Sequence, residues 1–129
     1  MAQQTVLAIE DDIAMQKLIK RILGDSGYTV YIAATCAEGI KLTELYTPDC
    51  IILDFHLPDG DALSVCSAIR LNKNIKSPPV IIFSSDPDAE TSAYTECQAN
   101  SFILKGAESL ETLPAAVSNI LATAHNRIL

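Results

Sequence analysis

Two short stretches of this chain are apolar at every position: Cys50-Ile51-Ile52-Leu53 and Val80-Ile81-Ile82-Phe83. A strand with one solvated face alternates apolar and polar residues, whereas a strand covered on both faces is an unbroken apolar run. Such strands need helices on both sides, which restricts the chain to a layered α/β arrangement. The remaining segments fit that restriction. Thr5 to Ile9 is a further short apolar run, and Thr29 to Ala33 reads as a second strand. Between them, Ile13 to Asp25 carries Met15, Leu18, Ile19, Ile22 and Leu23 on one helical face, with Gln16, Lys17, Lys20 and Arg21 opposite. Thr35-Cys36-Ala37-Glu38 has the S/T-x-x-E capping pattern, which predicts a helix from there to about Tyr46. Leu57-Pro58-Asp59-Gly60 reads as a turn and Ala62 to Leu71 as a helix. Asp86-Pro87-Asp88 starts a weakly amphipathic helix reaching about Cys97, and Ser101 to Leu104 is the fifth strand. In the last helix Leu113, Val117, Ile120, Leu121 and Ala124 recur at helical spacing. Pro114 places its first regular turn near Thr112, because proline is tolerated only at a helix start. Five strands alternating with five helices imply one α/β domain built on a parallel sheet with right-handed crossovers.

A chain of 129 residues with 49% hydrophobic and 19% charged residues is one domain's worth of ordinary globular sequence. A net charge of −7 repels nucleic-acid phosphates and argues against direct DNA or RNA binding. Lys17, Lys20 and Arg21 are read as a solvated helix face or a contact for an acidic protein partner. The four cysteines (Cys36, Cys50, Cys66 and Cys97) form no CxxC pair, and each falls in an expected helix or strand as a small buried hydrophobe. That pattern disfavours a zinc site and suits a reducing compartment. No signal-peptide pattern opens the chain, and no apolar run approaches the ~20 residues that span a bilayer. A soluble, cytoplasmic protein without membrane contact is expected.

Sheets of this class bind ligands at the carboxyl ends of their strands. The residues there are Glu10, Asp11 and Asp12 after the first strand, Asp54 after the third, Ser84 and Ser85 at the fourth, and Lys105 after the fifth. Each has an ordinary explanation: Asp11 or Asp12 can cap a helix, Ser84 can satisfy backbone groups, and Lys105 can point to solvent. Their conjunction at four strand ends is harder to explain that way. Crowded carboxylates repel one another unless a cation is present. All-oxygen ligands suit a hard divalent ion such as Mg²⁺. An aspartate can attack and hold a phosphoryl group, with a metal ion and a lysine neutralising its charge and a serine hydroxyl donating to it.

Together these residues resemble the receiver domain of two-component response regulators. Val6-Leu7-Ala8-Ile9-Glu10-Asp11-Asp12 is similar to the family's acidic motif, and Ile51-Ile52-Leu53-Asp54-Phe55-His56-Leu57-Pro58-Asp59-Gly60-Asp61 to its phosphorylation loop. Ser84 and Lys105 fall where the family has Thr or Ser and a lysine, and the resemblance covers essentially the whole chain. It implies a flavodoxin-like (βα)5 doubly wound fold with a five-stranded parallel sheet in the order 2-1-3-4-5. It also implies that Asp54 is the phosphoacceptor, and that Glu10 and Asp11 are the acidic pair. Glu10, Asp11 and Asp54 would form the pocket for Mg²⁺ or Mn²⁺, with Asp11, Asp54 and the backbone carbonyl of His56 as its direct ligands. Asp12 is the helix-capping member of the acidic run. Ser84 and Lys105 would bind the phosphoryl oxygens, and Phe102 takes the aromatic switch position. The side chains of His56 and Asp86 would tune dephosphorylation. The implied partners are a histidine kinase or histidine phosphotransfer protein, and a downstream protein or second copy meeting the helix 4–strand 5–helix 5 surface.

Three positions depart from the family pattern. Gly106 follows Lys105 in place of a cis proline, Gln98 replaces a glycine after helix four, and Ala62 replaces a frequent glycine. The isomer of the Lys105–Gly106 peptide is therefore open at this point. Residues 1–129 read as a single receiver domain without an output domain, whose chemistry is its own phosphorylation and dephosphorylation rather than turnover of a separate substrate. Two alternatives are a degenerate receiver that only docks proteins, and a Mg²⁺-dependent phosphatase of the haloacid dehalogenase type. The second needs an Asp two residues after its nucleophile, where this chain has His56.

Overall fold

In the computed structural model, which describes residues 3–106 and 108–128, the strands β1 (Thr5–Ile9), β2 (Thr29–Ala33), β3 (Cys50–Leu53), β4 (Val80–Ser84) and β5 (Ser101–Leu104) form one sheet. All its pairings are parallel and its order is β2-β1-β3-β4-β5. The helices are α1 (Ile13–Asp25), α2 (Cys36–Tyr46), α3 (Ala62–Leu71), α4 (Glu90–Thr95) and α5 (Ser109–Ile128). This is the flavodoxin-like arrangement that the apolar runs and the resemblance imply.

Successive strand residues point to opposite faces, and the core divides accordingly. Leu7, Ile9, Ile51, Leu53 and Ile82 pack with residues of α2, α3 and α4, among them Cys36, Val65, Cys66, Ile69 and Ala93. Val6, Ala8, Ile52, Ile81 and Phe83 pack with Ile19 and Leu23 of α1 and Leu113, Val117 and Leu121 of α5. Every residue of β3 and β4 is buried, as their unbroken apolar runs require. Helix α2 approaches β1 closely at Gly39, and its buried positions are all small: Cys36, Gly39 and Thr43. A Cβ on Gly39 would stand 2.5 Å from Ile9 Cδ1 and 2.9 Å from Ile9 Cγ1.

The predicted bounds of α1, α2, α3 and of β1, β2, β3 and β5 coincide with the structure, and two local expectations are corrected. Helix α5 begins at Ser109 and carries Pro114 inside it, three residues earlier than the proline suggested. Thr112 Oγ1 donates to the Ser109 carbonyl in that turn at 2.7 Å, and Pro114, the sixth residue of the helix, lacks the N–H that would bond to the Leu110 carbonyl, so the helix forgoes one ladder bond. Helix α4 follows a 3-10 turn, Pro87–Ala89, and ends at Thr95 instead of reaching Cys97. Gln98 is then left-handed, with φ 55°, the conformation that a glycine would adopt without strain. Finally, the expected turn around Pro58-Asp59 closes a two-residue antiparallel ribbon, His56–Leu57 against Gly60–Asp61.

Candidate functional site

The sheet's own hydrogen bonds extend one step past the strand ends and carry the acidic residues with them. Glu10 N–H donates to the Ala33 carbonyl (2.8 Å), Asp54 N–H to Ile9 (2.9 Å) and Lys105 N–H to Ser84 (2.8 Å). Each functional backbone is thereby fixed by the neighbouring strand. Glu10, Asp11 and Asp54 each bring one carboxylate oxygen within 4.8 Å of the others. Asp12 turns away to cap α1, its side chain accepting from Ala14 N–H at 3.0 Å. The ends of β1 and β3 therefore meet in the cluster, the Ser84 hydroxyl at the end of β4 instead accepts from Asp86 N–H, and the acidic run divides between the cluster and the cap.

Lys105 closes the cluster. Its Nζ donates to Glu10 Oε1 at 2.6 Å and to Asp54 Oδ2 at 3.0 Å, and lies 5.4 Å from the centroid of the Phe83 ring. Glu10 is only 2% exposed. Burial raises its carboxyl pKa above the ordinary value, against the opposing pull of the Lys105 hydrogen bond and of Asp12 N–H, which Glu10 Oε2 accepts at 3.1 Å. Burial would lower the Lys105 ammonium, but its bonds to Glu10 and Asp54 outweigh that and hold its pKa above normal. The Lys105–Gly106 peptide is trans, as are all peptide bonds among the described residues. A cis bond is therefore not required to aim this lysine at Asp54.

One ammonium faces three carboxylates, so the cluster keeps a surplus of negative charge, and its exposed member, Asp11, stands at the open side. That donor set is all oxygen and half open, which fits a hard divalent ion that retains several waters. Glu10, with both oxygens already bonded, is the least available as a direct ligand; Asp11 and Asp54 are better placed.

Around the mouth, the structure adds contacts that no local sequence pattern announces. His56 Nε2 and Asp86 Oδ2 are 2.8 Å apart, bridging the segments after β3 and β4. His56 holds the Asp86 carboxyl below its usual range, helped by Asp88 N–H. Ser84 is 1% exposed and its Oγ accepts from Asp86 N–H at 3.1 Å. Asp59 reaches across 23 residues to the first turn of α2, accepting from Cys36 N–H at 2.7 Å and Ala37 N–H at 3.1 Å. Those two bonds lower its pKa. Phe102 is half-buried on the edge strand β5, and its N–H donates to the Tyr94 hydroxyl on α4 at 3.0 Å. A groove of about 1220 Å³ lies at the opposite end of the sheet beside Pro48, Asp49, Pro79 and Asn100. None of Glu10, Asp11, Asp54, Ser84 and Lys105 lines it, so charge and convergence mark the site rather than size.

The response regulator receiver domain family model matches residues 6–118. Over 120 residues the chain is 31% identical to the cell cycle transcriptional regulator CtrA of Caulobacter vibrioides, covering 93% of this chain and 48% of that protein. Over 77 residues it is 40% identical to the cell cycle response regulator CtrA of Brucella ovis, covering 60% of this chain and 33% of that one. The chain thus spans half or less of the length of these curated relatives. A Chloroflexus aurantiacus protein assigned as a response regulator has a crystal structure that superposes with a TM-score of 0.85 at 28% identity, covering 94% of this chain and 99% of that one. Among the described residues, no helix is long and apolar enough to cross a membrane.

Proposed function

The chain belongs to the response regulator receiver domain family, and from that premise we propose that Asp54 is the phosphoacceptor of a cytoplasmic switch. The observation that carries this reading is the Asp54 carboxylate itself, held by Lys105 at 3.0 Å beside the carboxylates of Glu10 and Asp11. A phosphohistidine on a kinase or phosphotransfer protein is the donor. An Asp54 carboxylate oxygen attacks phosphorus, the P–N bond breaks with its electron pair going to the ring nitrogen, and the imidazole, already protonated on its other nitrogen, departs neutral. Asp11, Asp54 and the His56 carbonyl would hold Mg²⁺ or Mn²⁺, which when bound neutralises charge on the transferred group. Lys105 supplies a second positive charge, and the Ser84 hydroxyl donates to a phosphoryl oxygen once it turns from Asp86 N–H. His56 and Asp86, paired over the mouth, restrict the approach of the water that later hydrolyses the acyl phosphate. Glu10 acts on Lys105 and on the cluster's charge rather than on the phosphoryl group.

Output follows from the same residues. As Ser84 moves, the Phe102 ring can take the space beneath α4, and the α4–β5–α5 surface then differs between states. A downstream protein or a second copy reads that surface. Residues 1–129 act as one receiver unit in this reading, and its chemistry is confined to gaining and losing its own phosphoryl group.

Incubation with Mg²⁺ and acetyl phosphate, followed by intact mass measurement and borohydride trapping, tests the assignment. One phosphoryl group on Asp54, absent in Asp54→Asn and reduced in Asp11→Asn through weaker metal affinity, is expected. A phosphoryl group mapped elsewhere, or none in the parent chain, refutes it.

A further inference from the structure

Gln16 is the fourth residue of α1, on the polar side of that helix with Lys17, Lys20 and Arg21. Those three are exposed, whereas Gln16 is half-buried. Helical side chains lean toward the helix N-terminus, and this one reaches back over the first turn to the chain that enters α1. Its Nε2 donates to the Glu10 carbonyl at 2.7 Å. A carbonyl can only accept, so the bond fixes which way round the carboxamide sits. The Gln16 backbone N–H donates to the Asp12 carbonyl at 2.9 Å. One residue thus holds the carbonyls on both sides of Asp11. The Asp12 bond is the ordinary bond of a helix start. The Glu10 bond is not part of any regular element, since the β1–β2 ladder ends at the Ile9–Ala33 pair and the Glu10 carbonyl lies beyond it.

We infer, on the reading of Glu10, Asp11 and Asp54 as a divalent-metal pocket, that Gln16 is a positioning residue of that pocket. Its carboxamide fixes the plane of the Glu10–Asp11 peptide and so keeps the Asp11 carboxylate beside those of Glu10 and Asp54. The other two members have direct restraints. Lys105 Nζ bonds to both, Asp12 N–H donates to Glu10 Oε2, and Asp54 N–H is held by the Ile9 carbonyl. Asp11 is the exposed member, outside the two Lys105 ion pairs, so its carboxylate goes where its backbone sends it. The plane of the Glu10–Asp11 peptide sets the Asp11 φ, and with it the direction in which Asp11 Cβ leaves the chain. Without Gln16 the Glu10 carbonyl is free to turn to water. The Asp11 carboxylate is then no longer kept within 4.8 Å of its two neighbours. Capturing an ion must order Asp11 at that moment, and the affinity falls because the pocket has lost its preorganisation. Gln16 would touch neither the ion nor the phosphoryl group; it acts through the backbone of the residue that does.

Gln16→Met keeps a long, helix-compatible side chain and removes the donor; Gln16→Ala, the best helix former, does the same should the methionine disturb folding. MgCl₂ alone, with no phosphoryl donor, is titrated into parent and variant at one pH while NMR follows the amide signals of Asp11 and Asp54. The variant should bind Mg²⁺ about tenfold more weakly, the lower end of the range for residues that orient a metal ligand. Its Asp11 amide signal should move before any metal is added, and that of Asp54 should stay in place. Urea titration without metal gives the stability of each protein separately. Equal Mg²⁺ affinities, with an unmoved Asp11 signal or only a lowered urea midpoint, would make the Gln16 bond purely structural and overturn this role. Failure of the parent chain itself to bind Mg²⁺ would refute the reading of the pocket, and the role of Gln16 with it.

Discussion

Replacing Lys105 with methionine keeps an apolar stem of similar length and removes the only cation bonded to Glu10 and Asp54 among the described residues. The side chains involved are 15%, 3% and 12% exposed, so solvent screens the pair weakly. Removing one partner of a buried ion pair costs roughly 3–5 kcal/mol, and the open side at Asp11 puts this cluster near the lower end, at about 3 kcal/mol. The cost should depend on pH, with a definite sign. Burial already raises the Glu10 carboxyl, and Lys105→Met deletes the hydrogen bond that opposes this. A carboxyl raised in the folded state contributes most below its unfolded value of about 4.3, and that contribution is lost as pH rises through the folded value. The deficit of Lys105→Met should therefore be small at pH 5 and approach 3 kcal/mol by pH 8 without divalent metal. Mg²⁺ at a hundred times the variant's dissociation constant should raise the variant's own stability by about 2.7 kcal/mol, and the deficit narrows to the extent that the variant, with one cation fewer, binds Mg²⁺ more tightly than the parent. Urea titrations of both proteins at the two pH values, with and without MgCl₂, measure all of this. A deficit equal at pH 5 and pH 8, and insensitive to Mg²⁺, would show that the lysine stem packs but its charge does not balance the cluster.

Three further outcomes follow from the packing. Gly39→Ala should destabilise by about 1–3 kcal/mol in urea, because the new methyl meets the fully buried Ile9 side chain; an unchanged midpoint would mean that α2 shifts freely on the sheet. Asp59→Ala should be less stable than the parent at neutral pH, with the difference present above the unfolded carboxyl value of about 3.9 and closing as pH falls through the lowered native value. A difference that persists undiminished into acid would remove its α2 hydrogen bonds as the cause. Tyr94→Phe should cost no more than about 0.5–1 kcal/mol, since the Phe102 N–H on the sheet edge can turn to water, but amide exchange at Phe102 should quicken. Unaltered exchange there would show that the hydroxyl does not hold α4 to β5.

What the sequence determined by itself was whatever rests on periodicity and strand order. Continuous apolar runs such as Ile51-Ile52-Leu53 can be satisfied only by a sheet covered on both faces, and in such a sheet Glu10, Asp11, Asp54, Ser84 and Lys105 all fall at one end. Local chemistry was equally legible: Asp12 and Thr35 cap the helices that follow them, because a cap is decided within about four residues. Tertiary structure decided how the gathered groups pair. Lys105 divides itself between Glu10 and Asp54, His56 finds Asp86, Asp59 caps a helix 23 residues earlier, and Tyr94 covers the edge of β5. It also decided that Pro114 lies within α5 and that Gln98 accepts a left-handed backbone, against the local preference of each residue. Those pairings depend on the distance and direction between side chains on different elements, which packing sets to fractions of an ångström and no spacing along the chain encodes.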